Sequence, residues 1–150
     1  MPDSSDIDNA LVAKLGADTT LLSYCPNGVY MGEAPPGATR YVIVSIVDAV
    51  DEPVFGQRGY EDILYVIEAR ALSTANGNVK AAAARIEALL EDQPLNAPGS
   101  PQAPVAGYTW MTTHRDGRPP GAHDDEVDAV DTALRWKRRA AYYRVQMAVT

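Results

Sequence analysis

The chain of 150 residues is short of the groups that usually announce chemistry. Its single cysteine, Cys25, cannot form an internal disulfide. Set in Ser23-Tyr24-Cys25-Pro26-Asn27, with no partner at metal-ligand spacing, it reads as a small half-buried hydrophobe and not as a nucleophile. Cationic charge is scarce as well: 13 Lys and Arg stand against 20 Asp and Glu, a net −7, with a pI near 4.7. That excludes the cationic excess that tight, unspecific binding to a phosphate backbone requires. No run of about eighteen apolar residues is present, so no membrane-spanning helix is expected. The start, Met1 to Asp6, is acidic and lacks the basic and apolar regions of a signal peptide, and Gln146 to Thr150 carry no lipidation signature. These absences predict a soluble protein made in the cytoplasm.

What is present is the material of one ordinary core. Hydrophobic residues make up 46% and charged residues 22%, with 11 Gly and 11 Pro. A chain of this length can bury about 70% of its unfolded surface, so one domain over 1–150 is expected. Behind Ser4 and Ser5 as possible caps, Ile7, Ala10, Leu11 and Leu15 recur every three to four residues and predict a short helix ending near Gly16. Asn27-Gly28 and Pro35-Pro36-Gly37 punctuate the stretch 21–38, which reads as a surface connection around one short strand, Val29 to Met31. Tyr41 to Val50 is β-branched and nearly continuously apolar, the pattern of a central strand covered on both faces. Gly59 to Leu72 follows through Asp51-Glu52-Pro53, predicting an antiparallel hairpin with a wide loop and with Glu68 and Arg70 on one face.

After Asn76-Gly77-Asn78 the period changes from two to 3.6. Val79, Ala82, Ala83, Ile86, Leu89 and Leu90 form a helical stripe that Pro94 closes. The Pro-rich stretch 94–104, read as a loop or arm, leads to a strand over Val105 to Thr113 and a polar loop through Gly121. From Trp136 to Val149, alternation of Arg139, Ala141, Tyr143, Val145 and Met147 with their neighbours predicts a long final strand. The order predicts an α+β fold: a mostly antiparallel sheet of four to five strands with two main helices packed on it.

Taken in order, these motifs resemble the tail-terminator (tail-completion) family of long-tailed phages, whose members share the lambda-like tail-terminator fold. The resemblance rests on Leu11-Val12-Ala13-Lys14-Leu15, Gly28-Val29-Tyr30, and Ala34-Pro35-Pro36-Gly37-Ala38. It continues through Tyr41-Val42-Ile43-Val44, Gly59-Tyr60, Ile86-Glu87-Ala88-Leu89-Leu90 and Tyr143-Arg144-Val145. It covers nearly the whole chain, departing in the Pro-rich and acidic region at 94–130. It implies a structural virion protein and not an enzyme: a ring, typically hexameric, at the head-proximal end of the tail. There it would end tail-tube polymerisation and join tail to head, with the tail tube protein and the head–tail connector (stopper) protein as partners and DNA passing through the lumen without specific binding. A neighbouring head-completion or adaptor protein of the connector, and a small enzyme built from the 111–131 loops, are the alternative readings.

Three clusters remain to be weighed. The acidic run Asp124, Asp125, Glu126, Asp128 and Asp131 fails as a calcium loop, because its sixth position is Ala129 and its twelfth is Arg135, so it reads as a solvated acidic loop. His114 and His123 lie too far apart to share a helical face for zinc, and His114-Arg115-Asp116-Gly117 reads as a turn, not a base with its orienter. No catalytic, cofactor or metal residue is therefore assigned. The basic run Arg135, Lys137, Arg138 and Arg139, with Trp136, Tyr142 and Tyr143, interleaves cations and aromatics as a nucleic-acid surface would. With the chain's charge opposing DNA, the preferred expectation is a subunit interface in which these cations meet Asp124, Asp125 and Asp128 of the same or a neighbouring copy.

Overall fold

A computed structural model describes residues 4–54, 57–72, 78–100, 102–122 and 126–150. Three helices, α1 (Ser5–Gly16), α2 (Thr19–Tyr24) and α3 (Val79–Leu90), accompany six strands. The strands are β1 (Val29–Met31), β2 (Arg40–Val54), β3 (Gln57–Leu72), β4 (Tyr108–Arg115), β5 (Glu126–Val127) and β6 (Arg135–Val149). They form one sheet in the order β1-β2-β3-β6-β4, with β5 paired to β6. Every pairing is antiparallel except β1 with β2. The expected α+β class and the two main helices are present. Among the described residues no helix is long and apolar enough to cross a membrane.

Alternation along the strands decides where the core sits. Val42 and Val44 of β2, Ile63, Tyr65, Ile67 and Ala69 of β3, and Tyr143, Val145 and Met147 of β6 share one face and are buried. The predicted stripe Ile7, Ala10, Leu11 and Leu15 of α1 packs on this face, as do Ala82, Ile86 and Leu90 of α3. Each such Leu or Ile contributes about 1.5–3 kcal/mol by leaving water. The N-terminal turn of α1 holds Asp6 and Asp8 and its last turn Lys14, the charge order that the helix dipole favours. Asp8 also accepts a hydrogen bond from the buried Tyr65 hydroxyl, tying α1 to the middle of β3.

Several sequence expectations change. The segment after residue 18 is not all surface connection: α2 occupies Thr19–Tyr24, and Leu21 and Cys25 are buried. Asp18 makes this short helix possible by capping it, its Oδ2 accepting from Leu21 N–H at 2.8 Å. The central strand is β3, not β2, because β1 pairs with β2 only from Val42 to Val44 and stops at Gly32, whose φ of 76° turns the chain away. The β2–β3 pairing continues to Val54↔Gln57, a tighter connection than the wide loop expected. The described residues of 94–104 form the loop that was expected, and it is tied down: Leu95 is buried, and an isolated bridge joins Asn96 to Pro104. The following strand is also displaced, beginning at Tyr108 and not at Val105, which is itself buried in the turn before it.

Candidate functional site

The basic run identified in the sequence is divided by its own strand. Because β6 alternates, Lys137 and Arg139 lie opposite Ala71 and Ala69 on the helix side, whereas Trp136 and Arg138 lie opposite Leu72 and Arg70 on the open side. On that open side, Glu68 gathers two guanidinium groups, with Arg138 Nε at 3.3 Å and Arg70 Nε at 3.4 Å from Oε1. The expected sharing of one face by Glu68 and Arg70 is therefore an ion pair. Trp136 is held from three directions. Its indole N–H donates to Asp128 Oδ2 at 2.9 Å, Tyr41 meets it edge-on at 5.6 Å between centroids, and Arg70 covers its ring at 5.2 Å. An indole so enclosed is not a free platform for stacking a base.

Asp128 therefore meets the aromatic of the basic run. Its other oxygen accepts from the N–H groups of Asp131 and Val130, both at 2.9 Å. These backbone donors, and then the indole, hold its carboxyl below the usual carboxylate range. Asp124 and Asp125 lie outside the described residues, as does His123. Arg135 opposes Val127 in the β5–β6 pair, and Arg135 and Lys137 are both exposed. His114 stands on β4 opposite Arg144. Asp116 does not orient it: Asp116 Oδ2 receives Arg144 Nη2 at 3.1 Å, and Arg144 Nη1 also reaches Asp62 Oδ1 at 2.8 Å.

Two features escape the sequence reading. The first is a cleft of about 170 Å³ on the helix side, between α3 and β6. Its floor is apolar, with Ile67, Ala83, Ile86 and Ala141, and its rim carries Lys80, Arg115, Arg118 and Arg139. Against these four cations the described lining sets one carboxylate, Glu87, which takes Arg115 Nη1 at 3.2 Å. Local charge is thus positive on a chain whose net charge is −7. The four cations come from one helix, two strands and a loop, 59 positions apart at the extremes (139 − 80), so no motif could have flagged them.

The second is the far half of the β2–β3 hairpin. Beyond Val44 the outer edge of β2 has no strand partner among the described residues. Ile46, Val47 and Val50 are there 46%, 49% and 43% exposed, with a register irregularity at Val47. An exposed, apolar edge strand is an invitation to association. The opposite edge of the sheet is closed differently. Asp92, at a φ of 52°, sends its N–H to Thr113 O at 2.8 Å, and Glu91 Oε2 accepts from Arg115 N–H at 2.6 Å. The end of α3 thus blunts β4 where β2 stays bare.

No protein-family model matches the sequence, and no curated protein matches it. Solved structures do. The fold is similar to that of a chain described as "Virion of native gene transfer agent (GTA) particle", with a TM-score of 0.63 at 17% identity, covering 97% of this chain and 96% of that one. It is also similar to a second solved chain, known only by a sequence designation, with a TM-score of 0.56 at 11% identity, covering 100% and 97%. At these identities the likeness is one of fold, shared end to end.

Proposed function

We propose that this chain is a structural subunit of a phage-like virion, acting as a ring at the head-proximal end of a long tail, and that it is not an enzyme. The observation that carries the reading is the end-to-end likeness of fold to a chain from a gene transfer agent virion. The tail-terminator role within the particle follows the ordered motifs from Leu11-Val12-Ala13-Lys14-Leu15 to Tyr143-Arg144-Val145. In that role the protein assembles in the host cytoplasm into a ring whose dimensions are set by the tail tube, ends its polymerisation and meets the head–tail connector.

The physical features agree with such work. A bare strand edge on one side of the sheet and a blunted one on the other favour a heterologous contact, which closes into a ring when repeated by rotation. Copies that each carry −7 make a strongly negative assembly, through which DNA passes without sticking. In this proposal Arg135, Lys137 and Arg139, on the helix side of β6, belong to the rim of the subunit contact with the acids Asp124 and Asp125, while Arg138 and Asp128 border it from the open side.

Negative-stain microscopy of the purified protein, alone and mixed with tail tubes of its own particle, tests the reading, with solution mass measured in parallel. Rings, or caps at one end of each tube, are expected. A protein that ignores tubes and binds the portal side of the head would be an adaptor instead, and a strongly basic lumen in an assembled ring would sink the conduit argument.

A further inference from the structure

The exposed hairpin and the cationic cleft are complementary, and one molecule cannot bring them together. The hairpin end of β2 presents Ile46, Val47 and Val50 beside Asp48, Asp51 and Glu52. The cleft offers an apolar floor of Ile67, Ala83 and Ala141 beneath Lys80, Arg115 and Arg118. Along β3 the cleft sits at Ile67, whereas Ile46 and Glu52 pair with Tyr65 and Tyr60, two and seven positions away, roughly 7–23 Å at about 3.3 Å per residue. Both strands of the hairpin stay paired from Arg40↔Ala71 to Val54↔Gln57, with register shifts after Ile46 and Glu52, so the segment is held in the sheet and cannot fold back onto its own cleft.

We infer that the Ile46–Glu52 edge of one copy docks in the cleft between α3 and β6 of the next copy, placing acids against Lys80 and Arg118 and the aliphatic side chains against the alanine-lined floor. The occupant is a second copy of this chain because the chain itself carries the segment that matches the cleft in both charge and apolar content. A nucleic-acid phosphate would answer the rim cations but leave the apolar floor and the exposed Ile46, Val47 and Val50 unexplained. Such a contact joins two different surfaces: made in one direction it is heterologous and generates a ring or an open helix, and made reciprocally it closes a two-fold pair, which solution mass distinguishes. The inference rests on the ring reading above and names the surfaces that would build the ring.

The test is a disulfide trap between copies in a Cys25→Ala background. One protein carries Val50→Cys, a second carries Ala84→Cys, which lines the cleft, and a third carries Ser100→Cys as an exposed control away from both. Mild oxidation of the Val50→Cys and Ala84→Cys mixture should give a cross-linked pair at least about tenfold more abundant than Val50→Cys with Ser100→Cys. Adding Lys80→Glu and Arg118→Glu to the cleft partner should remove about tenfold of that yield, and adding Asp48→Lys and Asp51→Lys to the hairpin partner should restore it. Circular dichroism of each variant confirms that it is folded before mixing. Rings without the preferential cross-link would overturn this inference and leave the ring intact, whereas neither rings nor cross-link would sink both. Binding of duplex DNA by the native protein, lost in the Lys80→Glu/Arg118→Glu variant, would likewise overturn it.

Discussion

Replacing Asp18 with alanine should destabilise the protein by about 2 kcal/mol, from two contributions that the structure separates. Asp18 Oδ2 caps α2 through Leu21 N–H, and loss of such a cap costs about 1 kcal/mol. The same carboxylate takes Arg85 Nε at 2.8 Å and Nη2 at 2.7 Å, a two-pronged pair that fastens α2 to α3. The Arg85 side chain is 36% exposed, so solvent screening holds this second contribution to about 1 kcal/mol. For a chain of this size the sum lowers the melting temperature by roughly 4–8 °C. Asp18→Asn keeps a capping oxygen while discarding the charge, and should lose about half as much. The Arg85 guanidinium, through its hydrogen bond, is the largest influence holding the Asp18 carboxyl below the usual carboxylate range. A depressed carboxyl contributes stability that is complete above its unfolded value, near 3.9, and that disappears as pH falls through the lower folded value. Urea melts should therefore show the full difference between native and Asp18→Ala protein at neutral pH and a closing gap in acid. A neutral-pH difference under about 0.5 kcal/mol, or a gap that widens in acid, would refute the reasoning.

Burial pushes the Cys25 thiol up to about 11, so the native protein should not react with a thiol reagent at mildly alkaline pH, whereas the urea-unfolded chain should react once per molecule; rapid native labelling would contradict the burial. Tyr65→Phe removes the hydroxyl that bonds Asp8 and should lower the urea midpoint, at unchanged slope, by the equivalent of about 1–2 kcal/mol. Arg144→Ala severs links to both Asp62 and Asp116 on the open face of the sheet and should cost only about 1 kcal/mol, because the guanidinium is 31% exposed.

Where the sequence was a good guide, the signal was a period. The stripe Ile7, Leu11, Leu15 and the stripe Ala82, Ile86, Leu90 mark helices whose apolar side is buried, and the alternation ending in Tyr143, Val145 and Met147 marks β6. Where it misled, periodicity was blind to neighbours. The apolar run Tyr41 to Val50 looks equally covered throughout, but β1 accompanies it for only three residues, so Ile46, Val47 and Val50 face water. Helix α2 spans only six residues, too few for a stripe to register, and depends on the Asp18 cap and on Arg85, 67 residues away. The basic run looked like one patch because its members are adjacent, yet strand geometry sends Arg139 and Trp136 to opposite faces.

Local chemistry in the sequence was therefore enough to decide α1, α3 and the long strands, their order and the α+β class, since helix and strand periods depend on residues three or four, or two, positions apart. Strand order, the edge of β2 left without a strand partner among the described residues, and the convergence of Lys80, Arg115, Arg118 and Arg139 around a cleft were decided only by the tertiary fold. These features arise from pairings between residues tens of positions apart, and each such contact depends on which surfaces the rest of the core leaves uncovered.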